Sequence, residues 1–216
     1  MQVGDVVGCA TLPCLDVATA GYRIPWIGID PSKIAIVLIS ESAAADPRDD
    51  YYAAGDPFFA RTTLEVFRQA GAEVSSVSDI LGLGVYLTTA LKCPKLQYAV
   101  SSASIAACAQ LLGKELALFP NTRVYLLMGD VAIKSLNAVA TQAGEPRVIP
   151  SGATYKLRRQ QFFFRGARVL PSYLQVGPSF FIEKGKHRVI AEDIRTALDF
   201  VGAALPEEAI RRRTQY

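Results

Sequence analysis

Four cysteines are the residues of this sequence best suited to chemistry beyond packing: Cys9 and Cys14, then Cys93 and Cys108. The first two lie close together in a turn-rich segment. Cys93 follows a strand-like run in a Lys92-Cys93-Pro94 turn, and Cys108 lies on an alanine-rich stretch, so two local pairs could converge on one centre. Soft sulfur ligands select a [4Fe–4S] cluster or a structural zinc ion, and four thiolates suit either. The other reading is four small buried hydrophobes. Disulfides do not persist in a reducing compartment, so cross-linking is the weakest use of these thiols. Glu41 offers a carboxylate just after an apolar run, as a reacting group or as a cap. Thr88 and Thr89 end a second apolar run, at the place where pockets of open α/β sheets form.

The elements that must position these residues follow from periodicity. Residues 34–40 form a near-continuous apolar run, the mark of a strand covered on both faces. Residues 41–59 are polar and punctuated, and predict a long functional loop at that strand's carboxyl end. Leu64, Phe67 and Ala70 give residues 62–70 helical spacing, closed by Gly71. A strand is expected in 84–91, a helix over 101–119, a strand at 124–129, a helix over 130–140, a strand at 168–173 and a final helix over 185–203. Strands alternating with helices predict an α/β fold in one domain, residues 1–205: three layers, α/β/α, around a mainly parallel four-stranded sheet. Residues 206–216, with Arg211-Arg212-Arg213, read as a solvated tail.

Half of the 216 residues are apolar, which excludes disorder and permits a sizeable core. No apolar run is long enough to span a bilayer and the first residues lack a secretory pattern, so a soluble cytoplasmic protein is expected, with no membrane partner. The net charge of +3 is modest, so any affinity for nucleic acid must come from local clusters. Two such clusters exist. Lys156, Arg158, Arg159, Arg165 and Arg168 flank Phe162-Phe163-Phe164, as a phosphate-tracking surface or as an edge hairpin with a charged outer face. Phe180 and Phe181 precede Lys184, Lys186 and Arg188, an apolar wedge backed by cations, or two core aromatics. The only histidine, His187, lies among those cations and reads as solvated or DNA-facing.

The cysteine arrangement resembles that of the iron–sulfur uracil-DNA glycosylases of the family-4 type, in which four such cysteines hold a [4Fe–4S] cluster. The spacing of Cys9 and Cys14 departs from the family, where the first pair is closer. Ile39-Ser40-Glu41-Ser42-Ala43-Ala44 and Gly55-Asp56-Pro57-Phe58-Phe59 look like that family's Gly-Glu-Ala-Pro-Gly and Gly-x-Pro-Phe motifs. The resemblance implies a uracil-DNA glycosylase-like sheet, a cluster on Cys9, Cys14, Cys93 and Cys108, and Glu41 as the carboxylate that supports glycosidic cleavage. Ser42, Ala43, Phe58 and Thr89 would meet the extruded base, with Phe58 stacking on it. DNA is the implied partner of a monomer, with Phe180 or Phe181 filling the gap left in the duplex and Lys184, Lys186 and Arg188 on phosphates.

Two positions depart from the family's pattern. Thr89 stands where the family has a uracil-reading Asn, so separate donor and acceptor groups are lost there. Leu174 stands where the family has a histidine that donates to the departing base. Gln175 and Ser172 are the nearest candidates for a replacement donor. Asp46, Asp49, Asp50 and Tyr52 in the long loop are candidates for activating water. Two functions follow as expectations: excision of a damaged or deaminated base, uracil or a related one, or DNA or nucleotide binding by a catalytically impaired relative on the same scaffold.

Overall fold

An apolar stretch such as Ile36-Val37-Leu38-Ile39 is stable as a strand only where neighbours flank it and other layers cover it. In the computed structural model, which describes residues 1–11, 13–177, 180 and 184–202, it opens β1 (Ile36–Ser42), whose first five residues are buried. The strand lies between β2 (Val85–Leu91) and β3 (Val124–Met128), parallel to both, with Leu38 opposite Leu87 on one side and Leu126 on the other. Two more strands, β4 (Phe162–Phe164) and β5 (Ala167–Ser172), complete a sheet of order β2-β1-β3-β5-β4. β5 runs parallel to β3, and β4 is antiparallel to β5.

The sheet therefore has five strands and not the expected four. The addition is β4, an edge strand joined to β5 through Arg165 and Gly166, both at positive φ (50° and 83°). Two consecutive positive φ values match the right-handed twist of a tight hairpin. Phe162 and Phe164 point inward and Phe163 is 55% exposed, with the Arg168 guanidinium 5.4 Å from its ring centre. Three consecutive phenylalanines hide the inside-outside alternation that would have marked a strand.

Helices cover both faces. On one, α3 (Ser102–Leu116) and α4 (Asp130–Gln142) pack Leu112 and Leu136 among Val37, Ile39, Tyr86, Leu127 and Val169. On the other, α1 (Phe58–Gln69), α2 (Val77–Gly82) and α6 (Lys184–Val201) set Phe67, Ile80 and Ile194 against Ile36, Leu38, Leu87 and Leu126. Each fully buried Leu or Ile contributes about 1.5–3 kcal/mol, so the two cores outweigh any single surface interaction. A single turn, α5 (Thr154–Leu157), precedes β4.

Helix α1 starts four residues before the predicted 62 because Pro57, at φ −62° and ψ 136°, presets the chain for helix entry. Helix α2 was not expected. Its signal is a capping box in which Ser76 accepts from the Asp79 N–H and the Asp79 carboxylate accepts from the Ser76 N–H. Among the described residues no helix is long and apolar enough to cross a membrane. Residues 206–216 lie outside the described residues.

Candidate functional site

All four cysteines belong to one side of the core, because residues 16–23 lie along the turn that leaves β2. The Ala18 and Arg23 N–H groups donate to the Pro94 and Lys92 carbonyls, both at 2.8 Å, and Leu96 N–H donates to the Asp16 carbonyl at 3.2 Å. A side chain at Gly21 would place its Cβ 2.7 Å from Pro94 Cδ, so only glycine allows this approach. The Asp16 carboxylate accepts from the Ser101 N–H at 2.5 Å and from the Ser104 hydroxyl, which holds the start of α3 and lowers the Asp16 pKa. The N-terminal segment is thereby fixed to both elements that carry the later cysteines.

Cys93 and Cys108 are buried, Cys9 and Cys14 are half-buried, and all four are free thiols. Burial pushes the Cys93 thiol up to about 11, and the neighbouring Cys108, Cys14 and Cys9 thiols push in the same direction. Cys108 is raised chiefly by burial, against the Lys92 backbone N–H directed at its sulfur. The thiols thus lie within electrostatic reach of one another, although no three Cys, His, Asp or Glu side chains among the described residues stand close enough to hold a metal ion. Four unbridged soft sulfurs on one side of the core, one of them facing a backbone N–H, are donors of the type that could ionise together only against a positive centre, but their arrangement among the described residues is not that of a metal site.

Lys92, between the end of β2 and Cys93, is fully buried. Its ammonium donates to Glu115 Oε2 at 2.5 Å, to the Thr88 hydroxyl at 2.8 Å and to the Thr89 carbonyl at 2.6 Å. Glu115 Oε1 accepts from the Tyr86 and Thr88 hydroxyls at 2.7 and 2.8 Å. Five polar groups satisfy one another without water, and they bind the end of β2 to α3. The Thr88 hydroxyl is committed to this network, while the residue also lines the cleft at the end of β2.

Glu41, near the carboxyl end of β1, sits where the chain order crosses from β2 back over β1 to β3. This topological switch point is where open α/β sheets place ligands. One carboxylate oxygen accepts from Lys95 Nζ at 2.5 Å and the other from the Val131 N–H at 3.3 Å, in the first turn of α4. Helix N-termini favour negative charge. Gly129, at φ +99°, makes the room: a Cβ there would lie 2.5 Å from Glu41 Oε1. Gly129→Ala is expected to cost about 1–3 kcal/mol from backbone strain and to displace Glu41, seen as a lower urea midpoint together with any loss of activity. Ser42 is half-buried beside Glu41, and Ala43 is buried, its N–H on the Leu91 carbonyl at 3.0 Å.

Beside this point, at the carboxyl end of β2, lies a cleft of about 180 Å³ lined by Thr89, Tyr51, Tyr52, Arg23, Asp50 and Trp26. The Thr89 hydroxyl donates to the Leu91 carbonyl at 2.9 Å. Tyr52 closes the exposed edge of β2: its hydroxyl donates to the Leu87 carbonyl at 2.9 Å and accepts from the Leu87 N–H at 3.0 Å, the bonds a further strand would make. Arg23 and Asp50 pair across the cleft at 3.3 Å.

Several expected site residues stand elsewhere. Phe58 opens α1 with the Arg61 guanidinium 5.6 Å from its ring, and does not line this cleft. Gln175 is fully buried, its amide N–H groups donating to Tyr51 and Ser40 hydroxyls at 2.8 and 3.1 Å, so it backs the cleft wall and presents no donor to a base. The Ser172 hydroxyl donates to Asp193 at 2.6 Å, and Asp193 is paired with Arg158. Phe180 is buried against the His187 ring, 3.8 Å between centres, which is the core-aromatic alternative and not an exposed wedge. Lys186 lies over the Tyr173 ring, and Arg188 is exposed beside Glu192. Phe181 and the Lys184 side chain lie outside the described residues. Of the loop carboxylates, Asp46 is held at about 2, first by the Arg48 side chain, and only Asp50 reaches the cleft.

Sequence reasoning passed over Trp26, Arg23, Lys92, Lys95 and Glu115. The Lys92-Cys93-Pro94 turn was a usable signal, since a lysine directly after a buried strand must bury or turn out. Together the fold and site define a mainly parallel α/β protein with a ligand cleft at the carboxyl ends of its central strands and a thiol-rich corner beside it. No protein-family model matches the chain, and no curated protein matches it either.

Proposed function

We propose that this chain is a DNA glycosylase of the iron–sulfur uracil-DNA glycosylase type, which takes an extruded, damaged or deaminated base into the cleft and hydrolyses its N-glycosidic bond. The observation that supports this reading is that Cys9, Cys14, Cys93 and Cys108, from three separate segments, lie on one side of the core within electrostatic reach of one another, with a cleft and the half-buried carboxylate of Glu41 at the neighbouring strand ends. Those four residues would hold the [4Fe–4S] cluster, or zinc, which supplies a rigid cross-link between the N-terminal segment, the β2 turn and α3.

Cleavage of the bond from C1′ to the base nitrogen sends the electron pair to the base and leaves positive charge on the sugar. In this reading Glu41, held by Lys95 and the first turn of α4, is the carboxylate that stabilises that charge. Water then adds its oxygen to C1′, and the proton it loses ends, through solvent, on the nitrogen of the departed base.

A second reading, DNA or nucleotide binding without catalysis, is favoured by one observation: Gln175 and Ser172, the nearest substitutes for the missing histidine, are both buried and engaged elsewhere. The deciding experiment incubates air-free protein with oligonucleotides carrying uracil, hypoxanthine, xanthine or an alkylated base and scores abasic sites. Excision of any of them is expected; binding without excision establishes the second reading. Iron or zinc content, measured on the same preparation, is expected at one cluster or one ion per chain.

A further inference from the structure

Trp26 is the only tryptophan of the chain, and it stands 66% exposed at the cleft. A large aromatic left on the surface is informative, because its burial would have been strongly favourable. The ring is not loose. Its benzo edge lies against Gly4, where a Cβ would come within 2.4 Å of Cε3, so a glycine opposite it sets the indole in place with another side open. A platform fixed before binding loses little entropy when a flat ligand covers it.

The polar neighbours narrow the ligand. Arg23 and Asp50 lie 3.3 Å apart in the same cleft, with side chains 21% and 18% exposed. A guanidinium only donates and a carboxylate only accepts, so the pair presents a donor beside an acceptor. Thr89, at the floor, cannot offer both groups from an amide, and its hydroxyl proton is already on the Leu91 carbonyl. The geometry points to a nucleobase site in which Trp26 stacks on the base and the Arg23–Asp50 pair reads its edge, supplying the separate donor and acceptor that an amide at 89 would have given. The complementary edge is an N–H next to a carbonyl, as in uracil, hypoxanthine and xanthine. This inference rests on the reading of the cleft as the one that takes an extruded base, and it assigns the residues that recognise it.

The single tryptophan makes the test direct. Its emission is followed while the protein is titrated with a single-stranded oligonucleotide bearing one uracil, and with the same oligonucleotide bearing a base-free tetrahydrofuran site, binding being read separately by anisotropy of a labelled strand. The uracil strand is expected to quench emission more strongly than the base-free strand. Trp26→Leu should weaken binding of the uracil strand about tenfold, within the range that loss of one stacked base covers, and leave the base-free strand unchanged. Trp26→Phe should restore most of the loss, and Asp50→Asn should narrow the difference between uracil and cytosine strands. If the strands bind with equal effects on Trp26 emission, or if Trp26→Leu binds as well as the parent, the inference is overturned and the glycosylase reading stands. Base-dependent quenching lost in Trp26→Leu, with no base excised from any strand, upholds the stacking site and removes the catalytic reading. Absence of binding to every strand overturns both.

Discussion

Lys92→Met is expected to destabilise the fold by about 3–5 kcal/mol, the usual consequence of leaving one member of a buried ion pair behind. The substitution keeps most of the apolar stem and deletes the ammonium. Glu115 then remains at zero exposure with Tyr86 and Thr88 still donating to it but no cation beside it. The Thr89 carbonyl loses its partner as well. Urea denaturation should show a lower midpoint with an unchanged slope. Adding Glu115→Gln should recover a good part of the loss, because a neutral amide oxygen can still accept from both hydroxyls. Non-additivity of the two changes would measure the coupling between the end of β2 and α3. An exposed pair would give under about 1 kcal/mol in the same cycle, so a small value would mean that this network is open to water.

Glu41→Gln is expected to slow base excision on the order of 10²–10³-fold, the effect of removing one group aimed at transition-state charge. The substitution is nearly isosteric, but the Val131 N–H and Lys95 bind different carboxylate oxygens, so a glutamine oxygen can keep only one of them and its NH2 group faces the other donor. A modest fall in the urea midpoint is therefore expected as well, and excision is compared under conditions in which the variant is fully folded, which separates loss of charge from loss of structure. Single-turnover rates of abasic-site formation under saturating protein give the comparison. Excision that persists at the parent rate would show that Glu41 is only a cap for α4.

How legible was this site beforehand? Cys93 and Cys108 were readable as a pair because a strand, a turn and a helix follow one another around them. That the segment carrying Cys9 and Cys14 lies beside them depended on hydrogen bonds between residues 16–23 and 92–96, which no local pattern announces. Gln175 shows the opposite limit. Its neighbours in sequence suggested a donor that could turn toward a ligand, but its partners Ser40 and Tyr51 lie 135 and 124 residues away, and they fix the amide in the interior. Phe180 behaves in the same way, an apolar residue whose burial was settled by the ring of His187.

By itself the sequence determined the alternation of strands and helices, the parallel central strands and the position of Glu41 and Thr89 at strand ends, because apolar periodicity and turn residues act over a few residues. Tertiary structure alone decided that the sheet has a fifth strand, that Lys92 and Glu115 neutralise each other in the core, and that Trp26, Arg23 and Asp50 share a cleft with Thr89. Those outcomes depend on which distant side chains exclude water from one another. Desolvation is a property of the assembled layers and not of any segment within them.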